Sequence, residues 1–210
     1  MATTRKSRPQ PDRPAGRRER KRVETRDKLF RTALKLFAKR GFFETTTEDI
    51  TEAADVGQGT FFNYFPSKQH VLMALFELQL GKIIAARSIA ASGRVPVARV
   101  LQRLMQQIGQ EPGRSSALTR SLIVAFLSSD EARGAAAKML AHARKELRNI
   151  MVIAQKRGEI RKNLRPADLA AAYQKRLLGT MLFFAIQDCR LSTELNRTFR
   201  QFWAEVARRP

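Results

Sequence analysis

Apolar side chains recur three and four residues apart along most of this chain, the spacing of one covered face of an α-helix. Leu29, Phe30, Ala33, Leu34 and Phe37 form the first such face, and Gly41 follows Lys39 and Arg40, cations that suit a helix C-terminus. This predicts a first helix over about 24–40. Thr46 then offers a hydroxyl N-cap with Asp49 three residues on, ahead of Ile50, Ala53 and Ala54, so a short second helix is expected. The run 56–59 (Val-Gly-Gln-Gly) breaks it. A third short helix is expected over 60–65, with Phe61 and Phe65 four apart, and Pro66 ends it. Ser67 would cap a fourth, longer helix carrying Leu72, Leu75, Phe76, Ile83 and Ala86, stopped at Ser92-Gly93. Later helices are predicted near 97–110, 115–128, 131–157, 167–188 and 193–207, with breaks at Pro112-Gly113, Gly158 and Pro166. No β alternation competes and no long repeat is visible. The expected class is all-α with about nine helices: a three-helix N-terminal unit, then a larger helical region.

Two short helices joined by a tight Gly-containing turn, behind a packed first helix, form the helix-turn-helix arrangement, whose second helix enters a DNA major groove. Burial of Phe61 and Phe65 would leave Thr60, Asn63 and Tyr64 outward, with Gln58 and Gly59 at the start of the helix. Hydroxyls, amides and the helix N-terminus can meet phosphates and base edges. Thr47 would do the same on the second helix, and Lys68 would add a cation on that side. Taken alone, the run 61–65 (Phe-Phe-Asn-Tyr-Phe) reads as core packing. The cap, the turn and the Lys spacing together favour recognition.

Composition sharpens this picture. The chain has 210 residues and a formal charge of +21, which points to a polyanionic partner, most simply nucleic acid. The charge is unevenly placed. Residues 1–22 hold nine Lys/Arg against two Asp/Glu and three prolines, so a disordered basic arm is expected there, with Arg17, Arg18, Arg20, Lys21 and Arg22 as nonspecific DNA contacts. Residues 23–65 balance to −1, and residues 66–210 carry the remaining +15. One cysteine and two histidines exclude a disulfide framework, a Cys-based zinc site and a His-rich metal centre. The strongest apolar stretch, 177–186, is about half of the roughly 20 residues a membrane span requires. No apolar leader precedes Val23, so a cytoplasmic location is expected. Gly-x-Ser-x-Gly, phosphate-loop and His-Glu-x-x-His motifs are all missing, and the Gly57/Gly59 pair lacks the strand and third glycine of a dinucleotide site, so no enzyme and no cofactor are expected.

The stretch 46–68, TTEDITEAADVGQGTFFNYFPSK, resembles the N-terminal signature of TetR/AcrR-type transcriptional regulators, and the likeness covers about 60 residues, from Val23 to roughly Lys82. The paired Thr, the Ile, the Ala-Ala, the Val-Gly-x-Gly-Thr turn, the aromatic recognition helix and the Ser-Lys closure stand at the family's spacing. The resemblance implies that Thr47, Thr60, Tyr64 and Lys68 hold the phosphate backbone, while Gln58, Gly59, Phe62 and Asn63 approach bases or sugars. Asp55 replaces the family's usual Gly and would have to accept left-handed backbone geometry, and Phe62 replaces a frequent Tyr. Beyond the basic arm over 1–22, the resemblance implies a DNA-binding domain over 23–82 with its helix-turn-helix at 46–65, and an effector-binding, dimerising domain over 83–210.

In that last region the helix from Ala167 is apolar on nearly every side after Leu177, and the final helix carries an aromatic-rich stripe. Leu178, Met181, Leu182, Leu195, Phe199, Phe202, Trp203 and Val206 are therefore expected in a four-helix homodimer interface. Met73, Phe76, Met105, Phe126, Met139, Met151 and Phe183 are candidate linings of an effector pocket. Of Arg87, Arg103, Arg120 and Arg176, any that faces inward would select an anionic or carbonyl-bearing effector; Arg120 and Arg176 are the two placed in the pocket. The expected function is a homodimeric repressor released from a palindromic operator in double-stranded DNA by a small molecule. Two alternatives stand beside it: a regulator of this type without a small effector, and a basic helical protein that coats nucleic acid or an anionic surface nonspecifically.

Overall fold

The computed structural model describes residues 16–110, 115–187 and 189–208. Among them lie nine helices: α1 (Arg17–Arg40), α2 (Thr47–Ala53), α3 (Gln58–Phe62), α4 (Lys68–Ala91), α5 (Val97–Gln110), α6 (Ser116–Leu127), α7 (Asp130–Lys156), α8 (Pro166–Ile186) and α9 (Leu191–Val206). The described residues hold no strand, only an isolated bridge between Ile160 and Ala207. The expected break at Pro112-Gly113 and residues 1–15 of the expected arm lie outside the described residues.

Local chemistry sets these boundaries. Thr46 and Asp49 form a full capping box: the Asp49 N–H donates to Thr46 Oγ1 at 3.0 Å and the Thr46 N–H to Asp49 Oδ2 at 2.9 Å. Ser115 and Ser129 cap α6 and α7 with their hydroxyls, and Pro166 opens α8, where its missing N–H costs nothing. Asp55 takes the expected left-handed backbone, with φ 50°. One boundary differs sharply from expectation. α1 starts at Arg17 rather than near residue 24, because Arg, Glu and Lys are good helix formers and need no apolar face to continue a helix that packing holds from Leu29 onward. Arg17, Arg18, Arg20, Lys21 and Arg22 are thus ordered on its exposed first turns, not in a disordered arm.

Two apolar cores share α4. The first joins α1, α2, α3, the N-terminal part of α4 through Leu75, and Leu118, Leu122 and Ala125 of α6. The second begins on α4 at Ile83 and gathers α5, α7, α8 and α9. The boundary expected at 82/83 therefore falls within one continuous helix, and α6 closes the N-terminal core from the far side of the sequence. Tyr173 anchors the second core: its buried hydroxyl donates to the Leu101 carbonyl at 2.7 Å, and burial pushes its pKa upward.

The expected dimer stripe of α9 is instead internal. Leu195, Phe199, Phe202 and Val206 are buried within the subunit against α5 and α8, as is Met181 of α8, while Trp203 stacks on Phe199 at 6.0 Å. Aromatic periodicity shows that a face is covered, not by what, and here the cover is the same chain. The outer side of α8 remains open: Leu178, Leu182, Phe183 and Ile186 are 43%, 48%, 46% and 71% exposed.

Candidate nucleic-acid interface

The reading head is built from α2 and α3. The capping box fixes the first turn of α2, and an Arg40–Asp49 ion pair at 2.8 Å ties that turn to the end of α1. The Thr46 backbone N–H and hydroxyl, with Arg40 behind them, hold the Asp49 carboxyl below the usual range. Residues 54–57 then turn the chain into α3, which begins at Gln58 rather than at residue 60 and ends at Phe62, with Asn63 as its C-cap. Phe61 and Phe65 are buried 5.7 Å apart, as their spacing predicts, and pin α3 from below.

What remains outside is the candidate surface. Gln58, Gly59, Phe62 and Asn63 are exposed, and Thr47, Thr60 and Tyr64 are half-buried around them. A Cβ placed on Gly57 or Gly59 would meet nothing within 4 Å, so packing inside the protein does not require either glycine; the bare backbone there leaves room for an approaching molecule. Phe62 is 48% exposed, its ring edge-on to Phe61 at 5.6 Å, an apolar group placed where a thymine methyl could meet it. Arg22 and Arg26, on the early turns of α1, line a cleft with Asn63 and Tyr64 and so bring cations beside α3.

Two expected roles change. The Lys68 ammonium donates to the carbonyls of Phe42, Phe43 and Thr45 at 2.9, 3.1 and 2.9 Å and lies 4.8 Å from the centre of the Phe42 ring. All three of its hydrogens are used within the domain, and burial lowers its pKa. It holds the loop between α1 and α2 rather than presenting a free donor to phosphate. Thr47 Oγ1 donates to Glu48 Oε2 at 3.1 Å, which turns its hydrogen away from solvent. Sequence reasoning gave Glu48 no role, yet its other oxygen, Oε1, accepts from Gln58 Nε2 at 3.2 Å. Glu48 and Gln58 stand ten residues apart on two helices, a separation with no periodic signal. Its own backbone N–H and the Thr47 hydroxyl hold the Glu48 carboxyl below the usual range.

The expected effector lining is spread over both cores and the surface. Met105 and Met151 are packed in the second core, Met73, Phe76, Phe126 and Met139 are half-buried, and Phe76 and Phe126 close on each other at 4.5 Å. Phe183 is exposed. Arg120 is exposed and lines a surface cleft with Phe43 and Val124, while Arg176 pairs with Glu205 at 2.6 Å and lies over the Phe202 ring. Arg87 pairs with the buried Glu146 at 3.1 Å.

A capped helix, a four-residue turn and a short helix with polar side chains outward, seated on a longer helix, define a helix-turn-helix DNA-binding head. The family model described as bacterial regulatory proteins, tetR family, matches residues 29–75. The HTH-type transcriptional regulator TcmR of Streptomyces glaucescens is 39% identical over 82 residues, 39% of this chain and 36% of the relative. The HTH-type transcriptional repressor KstR of Rhodococcus jostii is 31% identical over 112 residues, 53% of this chain and 52% of the relative. The chain thus spans about a third to a half of the length of these curated relatives. Among solved structures, FadR of Thermus thermophilus, a TetR-family transcriptional repressor in complex with lauroyl-CoA, superposes with a TM-score of 0.58 at 28% identity, covering 84% of this chain and 92% of that one. Residues 29–75 thus carry the likeness to the tetR family of bacterial regulatory proteins, and the chain as a whole is similar to TetR-family transcriptional regulators. Among the described residues no helix is long and apolar enough to cross a membrane.

Proposed function

We propose that the chain is a homodimeric transcriptional repressor that grips a palindromic operator through two copies of the α2–α3 head and leaves it when a small molecule binds the C-terminal region. The observation that carries the DNA reading is the outer face of α3: Gln58, Gly59, Phe62 and Asn63 exposed together on a short helix held from beneath by Phe61 and Phe65. Phosphate contacts fall to Thr60, Tyr64 and the flanking Arg22 and Arg26, with base contacts to Gln58, Phe62 and Asn63.

Dimerisation uses the open side of α8. Leu178, Leu182 and Ile186 recur every four residues, Phe183 widens the stripe, and Gly179 lies in it with no side chain to hold a partner helix off. Two heads so joined reach two half-sites only if their separation matches the DNA repeat, about 34–36 Å per turn. A ligand that prefers another separation lowers operator affinity in proportion to its preference. Gln79 supports a ligand-responsive interior: both polar atoms of its amide are buried without a partner, on α4 between Leu75 of the first core and Ile83 of the second. The Thermus relative is a repressor in complex with lauroyl-CoA, which supports a small-molecule ligand for this chain as well.

Selection of duplexes from a random pool by the full-length protein tests the reading. An inverted repeat should emerge and outcompete random duplex by at least about a thousandfold at moderate salt. Equal competition by random duplex would show a nonspecific coating protein instead.

A further inference from the structure

The Glu48–Gln58 contact bears on which base this head reads, and the inference rests on the DNA-binding reading above. A primary amide can face a neighbour with either its oxygen or its nitrogen, and its hydrogen-bond partners decide between them. An ionised carboxylate only accepts hydrogen bonds, so the group that Gln58 turns toward Glu48 must be its Nε2, as the 3.2 Å contact to Oε1 has it. The Thr47 hydroxyl, donating to the other oxygen at 3.1 Å, steadies the carboxylate from its far side. Gln58 is left with one unused N–H and a free carbonyl oxygen, and the side chain is exposed. A donor beside an acceptor is the complement of adenine in the major groove, where N7 accepts and the N6 amino group donates.

We propose that Glu48 is the positioning residue of the reading head, fixing the Gln58 amide in the orientation that reads an A·T pair. Without Glu48 the amide turns freely and Gln58 can equally present its NH2 group to guanine O6 or N7, so preference at that pair falls while preference elsewhere stays. Glu48 itself touches no base. As an anion in the head it also repels phosphate, so its removal should strengthen binding to random duplex even as it blurs the sequence read.

The test is a double-mutant cycle on the full-length protein, with the selected operator and three duplexes that replace one base pair in each half-site. The pair concerned is the one whose preference disappears in Gln58→Ala. At this pair the natural chain should prefer A·T by roughly tenfold or more, the scale of one bidentate base contact. Glu48→Ala should cut this preference to about threefold or less, and Glu48→Ala in the Gln58→Ala background should change nothing further. Glu48→Gln, which retains the side-chain length if the alanine variant unfolds, should blur the preference in the same way because its amide can accept or donate. The proposal is overturned if Glu48→Ala or Glu48→Gln keeps the full preference, if the pair read by Gln58 is not A·T, or if Glu48 substitutions alter base preference when Gln58 is already alanine. A natural chain that selects no sequence at all would instead refute the DNA-binding reading.

Discussion

Lys68 shows how one side chain can carry a task that its place in the sequence does not suggest. A cation at the start of α4, near a recognition helix, suggests phosphate, yet its ammonium is spent on three carbonyls of the α1–α2 loop. Removing it leaves those oxygens without their charged donor, so Lys68→Met should lower unfolding stability by about 2 kcal/mol, measured in urea. DNA binding separates the two tasks. A loop clamp predicts weaker binding with an unchanged salt dependence, whereas a phosphate contact predicts that the slope of log affinity against log salt falls by about 0.9. Asp49 offers a second case at this scale. Its folded pKa is depressed by the capping box, so its contribution is present above the ordinary carboxylate pKa and is lost as pH falls through the folded value. Asp49→Asn should therefore destabilise the protein at neutral pH, and its unfolding midpoint should converge with that of the natural chain in acid.

At the scale of elements, α8 and α9 perform different tasks despite similar sequence patterns. Both carry more apolar side chains than one narrow face requires. The α9 stripe is internal, so Phe202→Ala should cost about 3–5 kcal/mol, the range for a large buried aromatic. The outer stripe of α8 is about half exposed, so Leu182→Glu should leave monomer stability nearly intact and shift sedimentation equilibrium from dimer to monomer. Normal dimerisation of Leu182→Glu would move the interface elsewhere. The same pair of helices shows what sequence can and cannot convey. Helix existence, caps and stops are local: Thr46 with Asp49, Phe61 with Phe65 and Pro66 were all legible because their partners lie within four residues. The partner of the Phe202 ring is Tyr173, 29 positions away. Nothing in the periodicity distinguishes such a partner from a second subunit. The Glu48–Gln58 contact and the docking of α6 on α1 were hidden for the same reason, since each depends on how helices cross rather than on what each contains.

At the scale of the whole molecule, the +21 charge separates into regions that differ in their distance from the reading head. One group lies beside it, on the first turns of α1, where Arg22 shares a cleft with Asn63 and Tyr64. Another lies at the opposite end of α4, a helix of 24 residues and so about 36 Å long. There the end of α4, the start of α5, the end of α7 and the tail of α9 are tied together. The Arg157 guanidinium donates to the carbonyls of Ala90, Gly93 and Val95, Glu159 accepts from the Val97 N–H at 2.6 Å, and the Arg208 N–H donates to the Glu159 carbonyl. Arg94, Lys156, Lys162 and Arg208 are exposed around this junction. That distance exceeds the Debye length of about 8–10 Å several-fold, so these cations should contribute little to operator affinity at physiological salt. Replacing Arg17 and Arg22 by Ala should then lower the salt slope by about 0.9 for each phosphate that these side chains neutralise, while operator preference is retained. Replacing Arg94, Lys156, Lys162 and Arg208 together should leave the slope unchanged. If the distal replacement lowers the slope and the α1 replacement does not, DNA approaches the molecule from the end opposite α3, and the α2–α3 head is not its binding surface.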